Sequence, residues 1–206
     1  MKDIDYGLYL ITDDFYLNQR GILAVIEECL KAGVTMLQYR AKEKSSREML
    51  KEAEKLKELA LKYQVPFIIN DRLDIALAVQ ADGVHLGQSD LPFTVAKGLM
   101  ADRIIGVSAT SYEEGREAIQ QGADYVGVGP VFPTATKKDA KPPLGIEVIR
   151  QLKGDFPKAK LVAIGGISLD NASEVVNSGA DGLAIISAIL GASEPGERVK
   201  QFLKMN

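Results

Sequence analysis

Eight short apolar runs, each followed by a longer amphipathic stretch, order this chain from residue 8 to its end. The runs at 8–12, 35–40, 66–70, 83–86, 104–108, 124–128, 161–164 and 182–186 predict strands, and the stretches at 22–32, 45–63, 72–79, 92–98, 111–121, 145–153, 170–178 and 195–204 predict helices. Strand-then-helix order, repeated, implies parallel strands joined by right-handed crossovers. Eight such units in 206 residues, about 26 residues each, close naturally into an α/β barrel of the (β/α)8 type. An open doubly wound sheet competes, but the Gly-x-Gly-x-x-Gly turn that usually follows its first strand is absent. No linker interrupts the pattern, so a single barrel domain over 1–206 is expected.

Local punctuation supports the units. Gly33, Gly122 and Gly179 stand where helices should stop, and Ser45 or Ser46 can cap the helix that carries Glu48 in its first turn. Ala81-Asp82-Gly83, Gly122-Ala123-Asp124 and Gly179-Ala180-Asp181-Gly182 each precede a strand. That places Asp82, Asp124 and Asp181 at the structural end of a barrel, where they read as turn formers.

Bulk chemistry narrows the function classes. A net charge of −3 with no long basic run argues against duplex nucleic acid as a partner. Cys29 is the single cysteine, so no intrachain disulfide framework exists; it shares an apolar stripe with Ile22, Val25 and Ile26 and is expected to be buried. The first residues lack the apolar run of a signal peptide, and no stretch is long and apolar enough to span a bilayer. A cytoplasmic protein is the expectation.

Chemistry in such a barrel collects where the strands end. Gln38 and Arg40 on strand 2, and Lys42 just beyond it, fall two apart, so an amide, a guanidinium and an ammonium can line one side of the mouth while Leu37 and Tyr39 face the helices. Strand 3 ends in Asn70-Asp71, and strand 4 leads through Gly87-Gln88-Ser89 to Asp90. The two carboxylates come from neighbouring strand tops and can meet across a cation such as Mg²⁺, which typically takes one or two carboxylates with substrate phosphates and water. Separately, each can cap the helix that follows. His85, the only histidine, points inward by alternation, either as a general base or as a hydrogen-bonded core residue. Ser108 tops strand 5, where it can orient a substrate or cap the next helix.

Strand 6 runs into an unusually long connection at 129–143, against roughly 2–6 residues for most βα loops. Thr134, Thr136, Lys137 and Lys138 lie among its prolines. It is either a lid over a phosphorylated ligand or a solvated connection. After strand 7, Ile164-Gly165-Gly166-Ile167 lets backbone approach a ligand closely. After strand 8, Ile186-Ser187-Ala188-Ile189-Leu190 reads as one short helical turn. Barrels often bind phosphate with these two loops, through exposed N–H groups and a helix dipole. The residues thus define two anion sites: a cationic, metal-assisted one suited to diphosphate (Arg40, Lys42, Asp71, Asp90, Lys137), and a backbone one suited to a monophosphate (Gly166, Ile186, Ser187).

Taken together, Gln38-Tyr39-Arg40-Ala41-Lys42, Asn70-Asp71, His85-Leu86-Gly87-Gln88-Ser89-Asp90, Gly106-Val107-Ser108-Ala109, the 127–139 loop, Ile164-Gly165-Gly166-Ile167 and Ile186-Ser187-Ala188-Ile189 resemble, in order, the motifs of the thiamine-phosphate synthase family. The resemblance covers essentially the whole chain. It implies a transferase of thiamine biosynthesis that joins a pyrimidine diphosphate to a thiazole phosphate with Mg²⁺ as cofactor. By position it implies that Gln38, Arg40, Lys42, Asn70, Ser108 and Lys137 bind the pyrimidine diphosphate. Asp71 and Asp90 would hold the metal, and Thr134, Ala135, Thr136, Gly166, Ile186 and Ser187 would bind the thiazole phosphate. Catalytic weight would rest on Arg40, Lys42, Lys137 and Ser108. The family motif often carries a second acidic residue where this chain has Arg72. Two alternatives are a thiazole tautomerase of the same superfamily, whose catalytic histidine falls at Thr110, and a non-catalytic sensor that keeps the pocket. Oligomeric state is left open by the sequence.

Overall fold

The computed structural model describes residues 4–17, 21–100, 102–134 and 142–205. Eight parallel strands close into a barrel: β1 (Leu8–Ile11), β2 (Met36–Tyr39), β3 (Phe67–Asn70), β4 (Gly83–Leu86), β5 (Ile104–Ala109), β6 (Tyr125–Val128), β7 (Leu161–Ile164) and β8 (Gly182–Ile185). Strands pair in sequence order, and Leu8 opposite Leu183 closes the ring. Around them lie α1 (Asp14–Leu17), α2 (Ile22–Ala32), α3 (Ser46–Lys62), α4 (Leu73–Ala78), α5 (Phe93–Leu99), α6 (Tyr112–Gln121), α7 (Glu147–Asp155), α8 (Ala172–Asn177), α9 (Ser187–Leu190) and α10 (Pro195–Leu203).

The helices form where the sequence supplies both an apolar stripe and a boundary. In α3, Met49, Ala53, Leu56 and Ala60 recur at helical spacing and are buried. Its start is fixed by a capping box in which Ser45 accepts from Glu48 N–H and the Glu48 carboxylate accepts from Ser45 N–H. Helix α2 buries Val25, Ile26, Cys29 and Leu30 against the barrel and ends at Gly33, whose φ of 114° suits glycine. Helix α7 starts two residues later than predicted. Gly145 has a φ of 70°, outside the right-handed helical region, so the chain turns there before the helix begins.

Asp82, Asp124 and Asp181 do sit at the N-terminal end of the strands, but their role is larger than turn formation. Each carboxylate accepts the backbone N–H at or near the start of the preceding strand: Phe67 at 2.8 Å, Ile105 at 2.8 Å and Leu161 at 2.9 Å. Each aspartate N–H also bonds the carbonyl of that same residue. Thr35 repeats the arrangement on Leu8 through its hydroxyl. Four alternate strand interfaces are latched this way, which satisfies backbone donors that would otherwise be orphaned at the barrel floor.

Candidate active site

A cavity of about 500 Å³ opens at the C-terminal ends of the strands. Arg40, Lys42, Asn70, Asp71, Asp90, Ser108, Thr134, Gly166, Ile186 and Ser187 all line it. Nine of these belong to strand ends or to the loops that directly follow them, and Ser187 opens the short helix after β8, which is why residues so distant in sequence converge. Ala135, Thr136 and Lys137 lie outside the described residues.

Gln38 is the expected mouth residue that the structure puts elsewhere. Its side chain faces the barrel interior but is only 2% exposed, and its Nε2 donates to the Tyr9 hydroxyl at 2.8 Å. It shares a face with Arg40 yet sits two residues lower, roughly 7 Å down the strand. The alternation correctly gave its face but not its depth.

Arg40 is held by residues that strand 1 contributes and that the sequence reading passed over. Its Nη1 donates to Asp13 Oδ2 at 2.8 Å, and both side chains are largely buried. The Thr12 hydroxyl accepts from Arg40 N–H at 2.8 Å and donates to its carbonyl. Thr12 and Asp13 directly follow β1, so the same rule that pointed to the other strand ends would have found them.

The two carboxylates do meet. Burial alone would raise Asp71, but hydrogen bonds from Lys42 and Asp90 and the Lys42 charge outweigh it and hold Asp71 below the usual carboxylate range. Lys42 Nζ lies 2.5 Å from Asp71 Oδ2. Asp90 moves the other way: burial, then the neighbouring Asp71 carboxylate, raises it, against the pull of Gly87 N–H at 2.7 Å. Neither aspartate caps a helix, since the N-cap residues of α4 and α5 are Arg72 and Pro92, with no side-chain cap bond. Asp71 has a φ of 60°, a left-handed backbone conformation that aspartate tolerates better than most residues. Arg72 turns aside to Asp74 and Ser46, so it adds no charge to the cavity wall.

Ser108 does not cap α6, a role taken by Ser111. Its hydroxyl instead lies 2.8 Å from His85 Nε2. His85 points inward, as alternation predicted, and its Nδ1 is 2.9 Å from the Tyr125 hydroxyl.

Across the cavity the wall is backbone. Gly165 and Gly166 have φ of 100° and 66°, and a Cβ on Gly166 would sit 2.5 Å from the Pro133 carbonyl oxygen. Asn171 braces this turn, accepting from Ser168 N–H and donating to the Gly166 carbonyl. The long connection after β6 is tied at its start to the end of β7: Val131 N–H donates to the Ile164 carbonyl and Phe132 N–H to the Gly165 carbonyl. Its described ends are tied together by Leu144 N–H to Pro130 and Gly145 N–H to Val131. Thr134 therefore leaves a pinned neck. Ile186 and Ser187 open the four-residue α9, as the sequence suggested.

A parallel barrel with a cationic corner and a glycine-backbone corner facing one cavity defines an enzyme class: (β/α)8 barrels that act on phosphorylated small molecules. The comparisons narrow this. A family model described as thiamine monophosphate synthase matches residues 8–189, and the chain belongs to that family. It is 49% identical to the thiamine-phosphate synthase of Syntrophomonas wolfei subsp. wolfei, over 94% of this chain and 93% of the relative. It is 46% identical to the thiamine-phosphate synthase of Clostridium acetobutylicum, over 97% and 94% respectively. A solved thiamine phosphate pyrophosphorylase from Pyrococcus furiosus superposes with a TM-score of 0.90 at 41% identity, covering 98% of this chain and 96% of that one.

Proposed function

We propose that this chain is a transferase that joins 4-amino-2-methyl-5-(diphosphooxymethyl)pyrimidine to 4-methyl-5-(2-phosphooxyethyl)thiazole, giving thiamine phosphate and diphosphate. The observation that carries the reading is the pairing of two unlike anion corners on one cavity: Arg40, Lys42, Asp71 and Asp90 on one side, Gly166, Ile186 and Ser187 on the other. A diphosphate needs concentrated positive charge, whereas a monophosphate can be held by peptide N–H groups.

Asp71 and Asp90 fit Mg²⁺. They are hard oxygen donors from adjacent strand tops, crowded enough that a neighbouring positive charge relieves them. Asp71 and Asp90 are the side chains that would hold the cation; among the described residues no cluster of three or more histidine, cysteine, aspartate or glutamate side chains forms. When bound, the cation neutralises charge on the leaving diphosphate.

The chain's own residues do the rest. Arg40, aimed by Asp13, and Lys42, released from Asp71, take up the charge that grows on diphosphate as its C–O bond breaks. Lys137 is assigned the same role. Asn70 and Ser108 orient the pyrimidine, with Gln38 at the floor. The departing group leaves with the bonding electron pair, and the aminopyrimidine ring stabilises the methylene cation. Thr134, with Ala135 and Thr136, and the Gly166–Ser187 corner hold the thiazole phosphate so that its ring nitrogen forms the new C–N bond. Positioning and electrostatics suffice, with no general base. A cytoplasmic site of action is part of the proposal; among the described residues no helix is long and apolar enough to cross a membrane.

A tautomerase acting on the thiazole alone is not favoured. Thr110 stands at its histidine position and donates to Glu114 at 2.8 Å, and such an enzyme has no use for the cationic corner. The test is to mix both substrates with Mg²⁺. Thiamine phosphate and diphosphate should appear in equal amounts and only with both substrates present. Binding of both without diphosphate release would make the chain a sensor, and thiazole isomerisation without the pyrimidine would make it a tautomerase.

A further inference from the structure

Beneath the cavity floor, Tyr9, Tyr125 and His85, which the reaction outlined above does not use, link Gln38 to Ser108. Gln38 Nε2 donates to the Tyr9 hydroxyl at 2.8 Å. The Tyr9 and Tyr125 hydroxyls are 2.8 Å apart. Tyr125 reaches His85 Nδ1 at 2.9 Å, and His85 Nε2 reaches Ser108 Oγ at 2.8 Å. Only the last member lines the cavity. Tyr9, Tyr125 and Gln38 are each 2% exposed or less. The backbone makes room for them. A Cβ on Gly106 would sit 2.1 Å from Tyr125 Cζ, and one on Gly127 would sit 3.0 Å from His85 Cε1.

We propose that this chain fixes the His85 imidazole with its proton on Nε2, and thereby sets the Ser108 hydroxyl as a hydrogen-bond donor to a ring nitrogen of the bound pyrimidine. The direction follows from proton counting. A hydroxyl has one proton to donate. With Gln38 donating to Tyr9, the Tyr9 proton goes to Tyr125, and the Tyr125 proton goes to His85 Nδ1. That nitrogen is then the acceptor, so the neutral ring carries its proton on Nε2 and donates it to Ser108 Oγ. The Ser108 proton is left to face the cavity. Both phenols stay protonated because burial pushes them well above their ordinary range, so the chain carries hydrogen bonds and no anion. His85 is a positioning residue in this scheme: it acts through Ser108.

Reversing the Gln38 amide would reverse every link. Nδ1 would then carry the proton, Ser108 would donate inward, and the cavity would meet only its lone pairs. The two polarities select opposite ligand atoms, a ring-nitrogen acceptor in one case and an amino-group donor in the other.

His85 is the only histidine in the chain, so ¹⁵N-labelled imidazole gives one pair of signals without assignment. In the ligand-free protein at neutral pH, a protonated Nε2 and a bare Nδ1 are expected. A protonated Nδ1, alone or in an imidazolium, overturns the proposal. In Tyr125→Phe the donor to Nδ1 is gone, and the tautomer should become mixed; an unchanged spectrum also overturns it. The ligand half rests on the proposed function and is read separately. Replacing the pyrimidine ring nitrogen that meets Ser108 by CH should lower kcat/KM about 10-fold or more with the unaltered protein. The same replacement should make little difference with Ser108→Ala, while KM for the thiazole phosphate stays constant. Equal losses in both proteins overturn this half. Failure to turn over the pyrimidine at all refutes the functional reading and leaves the tautomer result standing.

Discussion

Asp71 offers a substitution whose structural and chemical effects separate cleanly. Its backbone has a φ of 60°, which asparagine adopts readily and alanine does not. Asp71→Asn keeps side-chain shape and the left-handed turn, and removes only the charge. The Lys42 ion pair is lost, but Lys42 is 56% exposed, so the pair contributes at most about 1 kcal/mol. Relief of the crowding with Asp90 acts in the opposite direction. Asp71→Asn should therefore unfold within about 1 kcal/mol of the parent. Asp71→Ala adds about 1–2 kcal/mol of backbone strain, worth roughly 2–8 °C in Tm for a chain of this length. Activity should follow the charge instead. Loosening the cation that would neutralise the developing charge should lower turnover by about 10²–10³-fold, the scale of losing one transition-state electrostatic contact. Half-saturating Mg²⁺ should rise about 10-fold or more, since even outer-shell partners matter that much. Thermal melts and Mg²⁺-titrated turnover of both variants check this. Turnover of Asp71→Asn within a few-fold of the parent at the same Mg²⁺ would refute the metal assignment, and equal Tm values for the two variants would refute the strain argument.

Three further outcomes are expected. Gly166→Ala should weaken the thiazole phosphate more than Ser187→Ala does, because its Cβ would press on Pro133 while the phosphate is held mainly by peptide N–H groups; paired KM measurements decide the order. Asp13→Ala should destabilise by about 3 kcal/mol, the low end for a broken buried pair because Arg40 lines an open cavity, and should raise KM for the pyrimidine diphosphate alone; urea unfolding and two-substrate kinetics check it. Burial would raise Asp181, but Lys153, Leu161 N–H and Lys160 hold it below the usual carboxylate range. The unfolded chain thus binds the proton first as acid is added, and the stability from Asp181 is lost as pH falls from about 4 through its lower folded pKa. Asp181→Asn should cost about 1–3 kcal/mol at neutral pH and flatten the acid limb of a pH–stability curve; an unchanged acid limb would contradict the sign.

The barrel was legible because its signals are local and repeated. Hydrophobic period, Gly33 and Gly122 stops and the Ser45–Glu48 box each act within a few residues, so the strand and helix order could be read directly. Helix α1 escaped because four residues show no period, and only Leu17 among them is buried. The site residues at strand ends were legible for the same topological reason. What a list of faces does not supply is height: Gln38 and Arg40 share a face, yet one lies in the core and the other at the mouth. Long-range partners were also hidden. Nothing near Tyr9 or Tyr125 in sequence announces a bond between them, 116 residues apart. Apolar alternation reads both simply as core aromatics.

The most direct test of the account is a structure of the protein with thiamine phosphate, diphosphate and Mg²⁺ bound. Diphosphate should lie against Arg40 and Lys42 with the metal on Asp71 and Asp90, and the thiamine phosphate group should lie on the peptide N–H groups around Gly166 and Ser187. Diphosphate on the glycine side, or a metal held without either aspartate, would contradict it.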